Sequence, residues 1–465
     1  MTSVQIHPVP PPGRPGSGTS GGKTALREAL LAGTIEHAWQ TDYYRGLWAD
    51  AEPLTVRTVA DLARLPVISK TGPDGGAAAI GHPDRVPAVA LHSSGTTGAP
   101  FIRYRSAEEI EALADLHAKL NERVRARSGD DSQIVHLTTV SARHHGNVLG
   151  TVATDRGLTL SMASDKDLAR AVDLLRRGPL FPDLPEPKVQ LSGSPDDLVV
   201  LVCALTEAGM SGLVVHNVVV IGDYLSRLHR EYLARALPGA RVIHRYSLSE
   251  ITGGATACDR CSSFHFDSYV LPEVVALDDD QPIAAGLGRL VLTELYPFSQ
   301  YQPMVRYDTG DLVELVRSPC EPAEVSMILA GRRAHAPMVR DRGATRVVYR
   351  PIALREALEA LPDVARAPLN PKLGSFRDVP GSAPLARVEF QAGDGGLGKV
   401  VLTVVIAFPP HLYPEHLARA RAAITTAVRE SCPELAANVH DGVCELVVDL
   451  TGDRSAAPPF VVRGS

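Results

Sequence analysis

A chain of 465 residues, 45% hydrophobic and 22% charged, is too long for one ordinary core and has the composition of a globular protein with two or three domains. A net charge of −6 without a basic stripe argues against a nucleic-acid surface, and no apolar run approaches the roughly 20 residues of a membrane span. Six cysteines do not make a disulfide scaffold, and with no charged-then-apolar leader the expected location is cytoplasmic.

Residues 1–22 are rich in Pro, Gly, Ser and Thr and are expected to be disordered. Ser17-Gly18-Thr19-Ser20-Gly21-Gly22-Lys23-Thr24 is not a Walker loop, because Ser17 replaces the leading glycine and no strand precedes it. A helix is expected from Thr24 to Trp39, and Thr55 to Leu62 carries the pattern of a capped helix start. Ala88 to Leu91 reads as a strand entered at Pro87, and Phe101 to Arg105 as another, with a helix opening at Ser106-Ala107-Glu108-Glu109. The stretch between those strands, His92-Ser93-Ser94-Gly95-Thr96-Thr97-Gly98-Ala99-Pro100, organises the chain. Its glycines let backbone N–H groups turn towards an anion, and its four hydroxyls add uncharged donors. Alone, it could equally be a hydroxyl-rich hairpin turn.

Strands and helices then alternate. Ile134 to Val140 is expected to be a strand, Pro195 to Ala208 a helix capped by Ser194, and Val214 to Ile221 a buried strand ending in Gly222-Asp223. Tyr224 to Ala236 follows as a helix and Arg241 to Tyr246 as a strand. This alternation predicts an α/β fold with ligand chemistry at the strand ends. Phe264 to Val316 turns to short strands, and the glycine- and arginine-rich 331–349 reads as a hinge. Beyond it, helices at Ile352–Leu361 and Pro414–Ser431 and strands at Leu385–Phe390, Val400–Ala407 and Val443–Leu450 predict a smaller α+β domain. The expected division is a disordered segment over 1–22, a large domain over 23–331 and a small one over 332–465.

Four stretches fall in a telling order: the Ser-Ser-Gly-Thr-Thr-Gly-x-Pro loop, Tyr246-Ser247-Leu248-Ser249-Glu250, Arg306-Tyr307-Asp308-Thr309-Gly310-Asp311 and Gly331-Arg332. In that order they resemble the motifs of the adenylate-forming superfamily of acyl-CoA synthetase-like enzymes. Gly288 to Thr293 and the entry Leu65-Pro66 to Lys70 are similar to the phenylacetate–coenzyme A ligase branch. The resemblance implies a large N-terminal adenylate-forming domain of mixed α/β sheets with a small β subdomain, followed by the smaller C-terminal domain. It implies ATP-dependent activation of a small, aromatic carboxylic acid as acyl-adenylate and transfer to a thiol, coenzyme A.

By the same resemblance, Ser93, Ser94, Gly95, Thr96, Thr97 and Gly98 would cradle the β- and γ-phosphates, and Glu250 would carry Mg²⁺ as a hard oxygen ligand. Asp311 would accept from both ribose hydroxyls, Arg332 would lie beside ribose or phosphate, and Gly222, Asp223, Tyr246 and Ser247 would frame the adenine. Glu250, Arg332 and Thr97 would then be the catalytic groups. Taken singly, Asp311 could be a turn residue and Glu250 a carboxylate opening a helix. Arg143-His144-His145-Gly146-Asn147 lies where the family walls its acyl pocket, so His144, His145 or Gly146 could meet the acid, or simply hydrogen-bond within a loop. The resemblance also admits a carrier-protein or amine acceptor and a homodimer.

Cys258-x2-Cys261-x3-His265 follows the Glu250 segment, with Cys320 before Gly331. Three thiolates and an imidazole form a closed tetrahedral zinc set, which would pin a loop beside the active site. The alternatives are surface thiols or a buried Cys320. Cys203, Cys432 and Cys444 read as core residues.

Three departures stand out. Ala99 replaces the lysine common before the loop proline. The C-terminal lysine that bridges carboxylate and α-phosphate is missing from Thr451 to Ser465, where Arg454 or Arg463 could supply charge but not an ammonium. After Gly331-Arg332, Arg333 to Pro337 also lacks the family's acidic hinge residue. The rival to an enzyme is therefore a degenerate homologue that binds nucleotide or acyl ligand without turnover.

Overall fold

Five parallel strands and an antiparallel extension form one long sheet that sets the direction of everything around it. The computed structural model describes residues 22–72, 75–92, 101–128, 134–139, 157–162, 164–176, 188–210, 212–320, 324–368, 380–393, 397–457 and 460–463. The calls on residues 1–21, on the Ser93–Gly98 cradle and on His144, His145 and Gly146 lie outside these residues.

The chain begins with α1 (Gly22–Trp39) and α2 (Asp42–Leu47), continues through the antiparallel pair β1 (Pro87–His92) and β2 (Ile102–Ser106), and enters α3 (Ala107–Ser128). There follow β3 (Ile134–Thr138), β4 (Gly157–Ser161), α4 (Asp165–Arg176), β5 (Lys188–Gly193), α5 (Pro195–Glu207), β6 (Val215–Ile221), α6 (Arg227–Ala236) and β7 (Arg241–Ser247). Next come β8 (Gly254–Ala257), β9 (Phe264–Phe266), β10 (Val270–Val275), β11 (Gly286–Glu294), β12 (Tyr307–Val316) and β13 (Ser326–Arg332). Among the described residues, β3 to β13 form one sheet in the order β10-β11-β12-β13-β9-β8-β7-β6-β5-β3-β4. The β4-β3-β5-β6-β7 part is parallel, and every pairing from β7 to β10 is antiparallel.

The expected cap acts at the start of α5, and α6 opens at Arg227 rather than Tyr224, behind a cap that was not expected. Ser194 accepts from the Asp197 N–H, and Ser226 accepts from the His229 N–H. Thr55 to Leu62 differs from its expectation. It forms two short 3₁₀ turns, Pro53–Thr55 and Ala60–Arg64, rather than an α-helix. Asp61 folds back to accept the N–H groups of Arg57 and Thr58, and Pro66 stops propagation a turn later.

One core joins α1, α2 and α3 to the antiparallel strands through Leu31, Tyr44, Trp48, Phe266 and Tyr307. Another lies between the parallel strands and α4 to α6, built on Leu137, Leu191, Leu201, Val218 and Leu233. Residues past β13 build a third around Val388, Val400, Leu402, Ile424 and Leu435. Here the expected hinge is a hairpin, β14 (Met338–Asp341) with β15 (Ala344–Val347), leading into α7 (Pro351–Glu359). After it come β16 (Arg366–Pro368), β17 (Pro380–Pro384), β18 (Ala386–Gln391), β19 (Gly398–Val405), α8 (Pro414–Ser431), α9 (Pro433–His440), β20 (Cys444–Thr451) and β21 (Val461–Arg463). The order β20-β19-β18-β21 makes a separate sheet. No helix among the described residues is long and apolar enough to cross a membrane.

Gly254, where β8 starts, shows how closely the chain is drawn together. A Cβ there would lie 2.0 Å from the Tyr246 carbonyl oxygen, a backbone atom that cannot swing away. Gly254→Ala should therefore cost at least about 1–3 kcal/mol by overpacking. A denaturant midpoint unchanged from the parent would contradict this.

Candidate functional site beside the ends of β6, β7 and β13

Antiparallel register sets Asp311 of β12 directly opposite Arg332 of β13. Arg332 Nε lies 3.2 Å from Asp311 Oδ1, and another of its nitrogens donates to the Thr309 carbonyl at 3.0 Å. From β7, Tyr246 donates its hydroxyl to Asp311 Oδ2 at 2.7 Å. Burial pushes the Asp311 carboxyl above its ordinary range, against the pull of Arg332 and the Tyr246 hydroxyl. Glu250, half-buried, lies within electrostatic reach of Tyr307, Asp311 and Arg332. The sequence motifs around Tyr246, Glu250, Asp311 and Arg332 thus meet in one place.

Parallel pairing of Ile221 with Arg245 brings the loop after β6 beside the end of β7. Gly222 takes a positive φ of 85°, the left-handed conformation that a side chain disfavours. Asp223 is exposed and turns its carboxylate onto the Tyr224 N–H at 2.7 Å. His244, two residues before Tyr246, holds this loop: it donates to the Asp223 carbonyl and accepts from the Leu225 N–H at 3.4 Å. Burial, helped by Arg230, lowers the His244 pKa to about 4, so the ring is neutral near pH 7 and can play both roles. Sequence reasoning missed His244, which in β7 stands among Arg241, Arg245 and Ser247 and gives no separate signal. Ser247 pairs with Gly254 across β7 and β8, at the same strand end.

The four metal-ligand candidates also converge. Cys258, Cys261, His265 and Cys320 each present one donor, all within 4.8 Å of one another. Cys258 Sγ and Cys320 Sγ are 3.8 Å apart, and Cys261 Sγ is 3.1 Å from His265 Nε2. Tetrahedral Zn–S bonds of about 2.3 Å place two sulfurs about 3.8 Å apart, so this donor set fits zinc. Ser326 Oγ lies 3.3 Å from His265 Nδ1, the position of an outer-shell partner that fixes ring orientation. Burial raises the Cys261 thiol, but donors from Ser263, Ser318 and His265 more than reverse this and hold it near 5. The four residues of β8 separate this cluster from the Ser247–Gly254 pair. It lies at the opposite ends of β8 and β13, with Cys258 just after β8 and Ser326 opening β13.

Of the two candidate substitutes for the missing lysine, the Arg463 side chain lies outside the described residues and Arg454 is engaged elsewhere. Arg454 donates to the Arg366 carbonyl at 2.8 Å, and Lys399 lies 3.5 Å from Glu445 within the C-terminal sheet. A contact the motifs did not suggest joins the loop after β6 to a helix: Tyr224 donates to Glu356 of α7 at 2.8 Å.

The fold is shared with 2-hydroxyisobutyryl-CoA ligase. The open conformation of 2-hydroxyisobutyryl-CoA ligase in complex with 2-HIB-AMP and CoA matches with a TM-score of 0.61, covering 91% of this chain and 88% of that one at 18% identity. The same ligase in the postadenylation state with R3-HIB-AMP gives 0.60 over 95% and 88%, at 16% identity. No family model matches the chain, and no curated protein does.

Proposed function

We propose that this protein is an ATP-dependent, AMP-forming ligase that activates a small aromatic carboxylic acid and passes the acyl group to a thiol, coenzyme A. The observation that carries the reading is the meeting of Asp311, Arg332, Tyr246 and Glu250 beside the Gly222–Asp223 turn, in a fold shared with a ligase solved with acyl-AMP and CoA. Residues 332–465 would form the small domain and the preceding residues from 23 the large one. The phenylacetate–coenzyme A ligase branch is the finer assignment, on the sequence motifs alone.

A carboxylate resists attack because it is negatively charged and lacks a leaving group. Bonding its oxygen to the α-phosphorus of ATP, with pyrophosphate departing, makes AMP the leaving group for the thiol. Asp311 would accept the ribose hydroxyls, with Tyr246 and Arg332 fixing its two oxygens, and the loop held by His244 would face the base. Arg332, its guanidinium partly exposed, would offset charge at the phosphate. Glu250 is the carboxylate placed to hold Mg²⁺, which when bound neutralises phosphate charge. The Cys258, Cys261, His265 and Cys320 donors would hold a structural zinc with no open position, so it takes no part in the chemistry.

A second reading is favoured by one observation. Arg454 donates to the Arg366 carbonyl and Lys399 lies beside Glu445, so neither of these two stands in for the absent lysine. Loss of one transition-state donor costs about 10²–10³ in rate, which leaves either a slow ligase, one using an amine or carrier-protein acceptor, or a nucleotide-binding homologue. ATP–pyrophosphate exchange across a panel of aryl acids, with and without coenzyme A, separates them. Exchange and thioester formation are expected. Exchange without thioester points to another acceptor, and nucleotide binding without any exchange overturns the ligase reading.

A further inference from the structure

Strand β2 carries arginines at alternate positions, Arg103 and Arg105, and both are fully buried. A two-residue period sends them to the same face, where they meet the buried carboxylates of Glu294, ending β11, and Glu109, in the first turn of α3. Glu294 Oε2 accepts from Arg103 at 2.6 Å and from the Ser299 hydroxyl at 2.9 Å. Its Oε1 accepts from Arg105 at 3.3 Å and from the backbone N–H of Thr252 at 2.5 Å. Glu109 accepts from Arg105 at 2.9 Å and from the N–H groups of Ser106 and Tyr301 at 3.0 and 2.8 Å. Arg103 also donates to the Gln302 carbonyl.

Two cations and two anions in a dry core are a poor route to stability, since apolar side chains of similar volume would serve as well or better. What apolar groups cannot do is accept the N–H groups of Thr252, Ser106 and Tyr301, which lie outside the sheet's own ladder. Their location gives the network its meaning. Thr252 is two residues beyond Glu250. Arg103 is three residues beyond Pro100, where the chain leaves the glycine- and hydroxyl-rich stretch. A single carboxylate therefore ties down the turn that carries Glu250 and the strand that continues from that stretch.

We propose that Glu294 is a positioning residue for MgATP: through the Thr252 N–H it fixes the turn that carries Glu250 against β2, and so places the carboxylate that would hold Mg²⁺. This rests on the ligase reading above. Glu294→Gln keeps the shape but gives up the charge that satisfies both arginines and one acceptor oxygen.

In exchange assays, Glu294→Gln is expected to raise the KM for MgATP about tenfold and lower kcat about 10²-fold, the scale of a catalytic group displaced by about 1 Å. The KM for the acid should stay within twofold, and Glu294→Asp should recover part of the MgATP effect. Glu324→Gln, which breaks the buried pair between Arg27 and Glu324, is a matched control that loses stability but keeps the parent KM for MgATP. Hydrogen exchange adds a readout independent of turnover: amides 250–253 of Glu294→Gln should lose protection ahead of β3 to β6. Should that variant fail to fold, Arg103→Lys keeps the charge, drops one of the two links, and should show the same KM shift at smaller size. A lowered melting temperature with unchanged MgATP KM and unchanged 250–253 protection makes the network structural only and overturns the proposal. A parent that neither exchanges pyrophosphate nor binds nucleotide instead fails the ligase reading, while the hydrogen-exchange result still decides whether Glu294 holds the Glu250 turn.

Discussion

Asp311→Asn is expected to weaken nucleotide binding about 10²-fold without lowering the melting temperature. A hydrogen bond to an ionised acceptor contributes about 1.5–3 kcal/mol, and Asn keeps one neutral acceptor of the two. A net loss of about 3 kcal/mol corresponds to about 10² in affinity. The stability side follows from the sign of the titration. Burial raises the Asp311 carboxyl above the value it has in an unfolded chain, so the folded protein holds that proton where the unfolded one has lost it. Stability is therefore given up as pH rises through the raised value, and at neutral pH the ionised carboxylate is a cost that Asn removes. Arg332 tolerates losing its partner, because its side chain is 43% exposed and keeps the Thr309 carbonyl. Binding of adenosine, which carries no phosphate to titrate, should weaken in the parent as pH falls through the Asp311 value and should be flat in Asn. Equal affinity of parent and variant would remove Asp311 from the ribose.

Much of this site was legible because its parts are carried by short, local signals. Gly222-Asp223 closes an apolar strand run, and Asp311 and Arg332 sit in Thr-Gly-Asp and Gly-Arg motifs on paired strands. The α/β alternation and the Ser194 cap were readable for the same reason: each depends on neighbours a few residues apart. What could not be read were side chains whose role is set by long-range partners. Glu294 meets Arg103 and Arg105 across 191 and 189 residues, and Tyr224 reaches Glu356 across 132. No periodicity encodes such pairs. His244 resembled any polar interruption of a strand until β6 was placed beside it. The α9 helix was missed because Pro433 follows closely on α8 and reads as the end of a helix, whereas Pro also suits the first turn of the next one. The cysteine cluster was legible from its spacing, while its place, at the end of the four-residue β8 away from Glu250, was not.

That separation makes the cysteine cluster a test of how strands transmit order. Cys258→Ser should abolish bound zinc, about one ion per chain in the parent, and lower the melting temperature by about 10 °C. Zinc held at a thousandfold over its Kd stabilises the folded state by about 4 kcal/mol, and each kcal/mol moves a domain of 150–250 residues by about 2–4 °C. The cluster joins the Cys258 end of β8, β9 through His265, and the segment carrying Cys320, while β9 pairs with β13 at Ser326. The far ends of those same two strands lead to Glu250 and Arg332. Removing the metal should thus lower protection of the β8 and β13 amides before that of β3 to β6, and weaken MgATP binding less than Asp311→Asn does. Cys203→Ser, whose sulfur contacts the Tyr232 hydroxyl in the helical layer, should leave zinc content unchanged. Equal metal content in Cys258→Ser and the parent, or none in a parent prepared with zinc, would mean that the four donors converge as thiols and imidazole alone. The strands would then be held by their ladders and by Ser326 on His265.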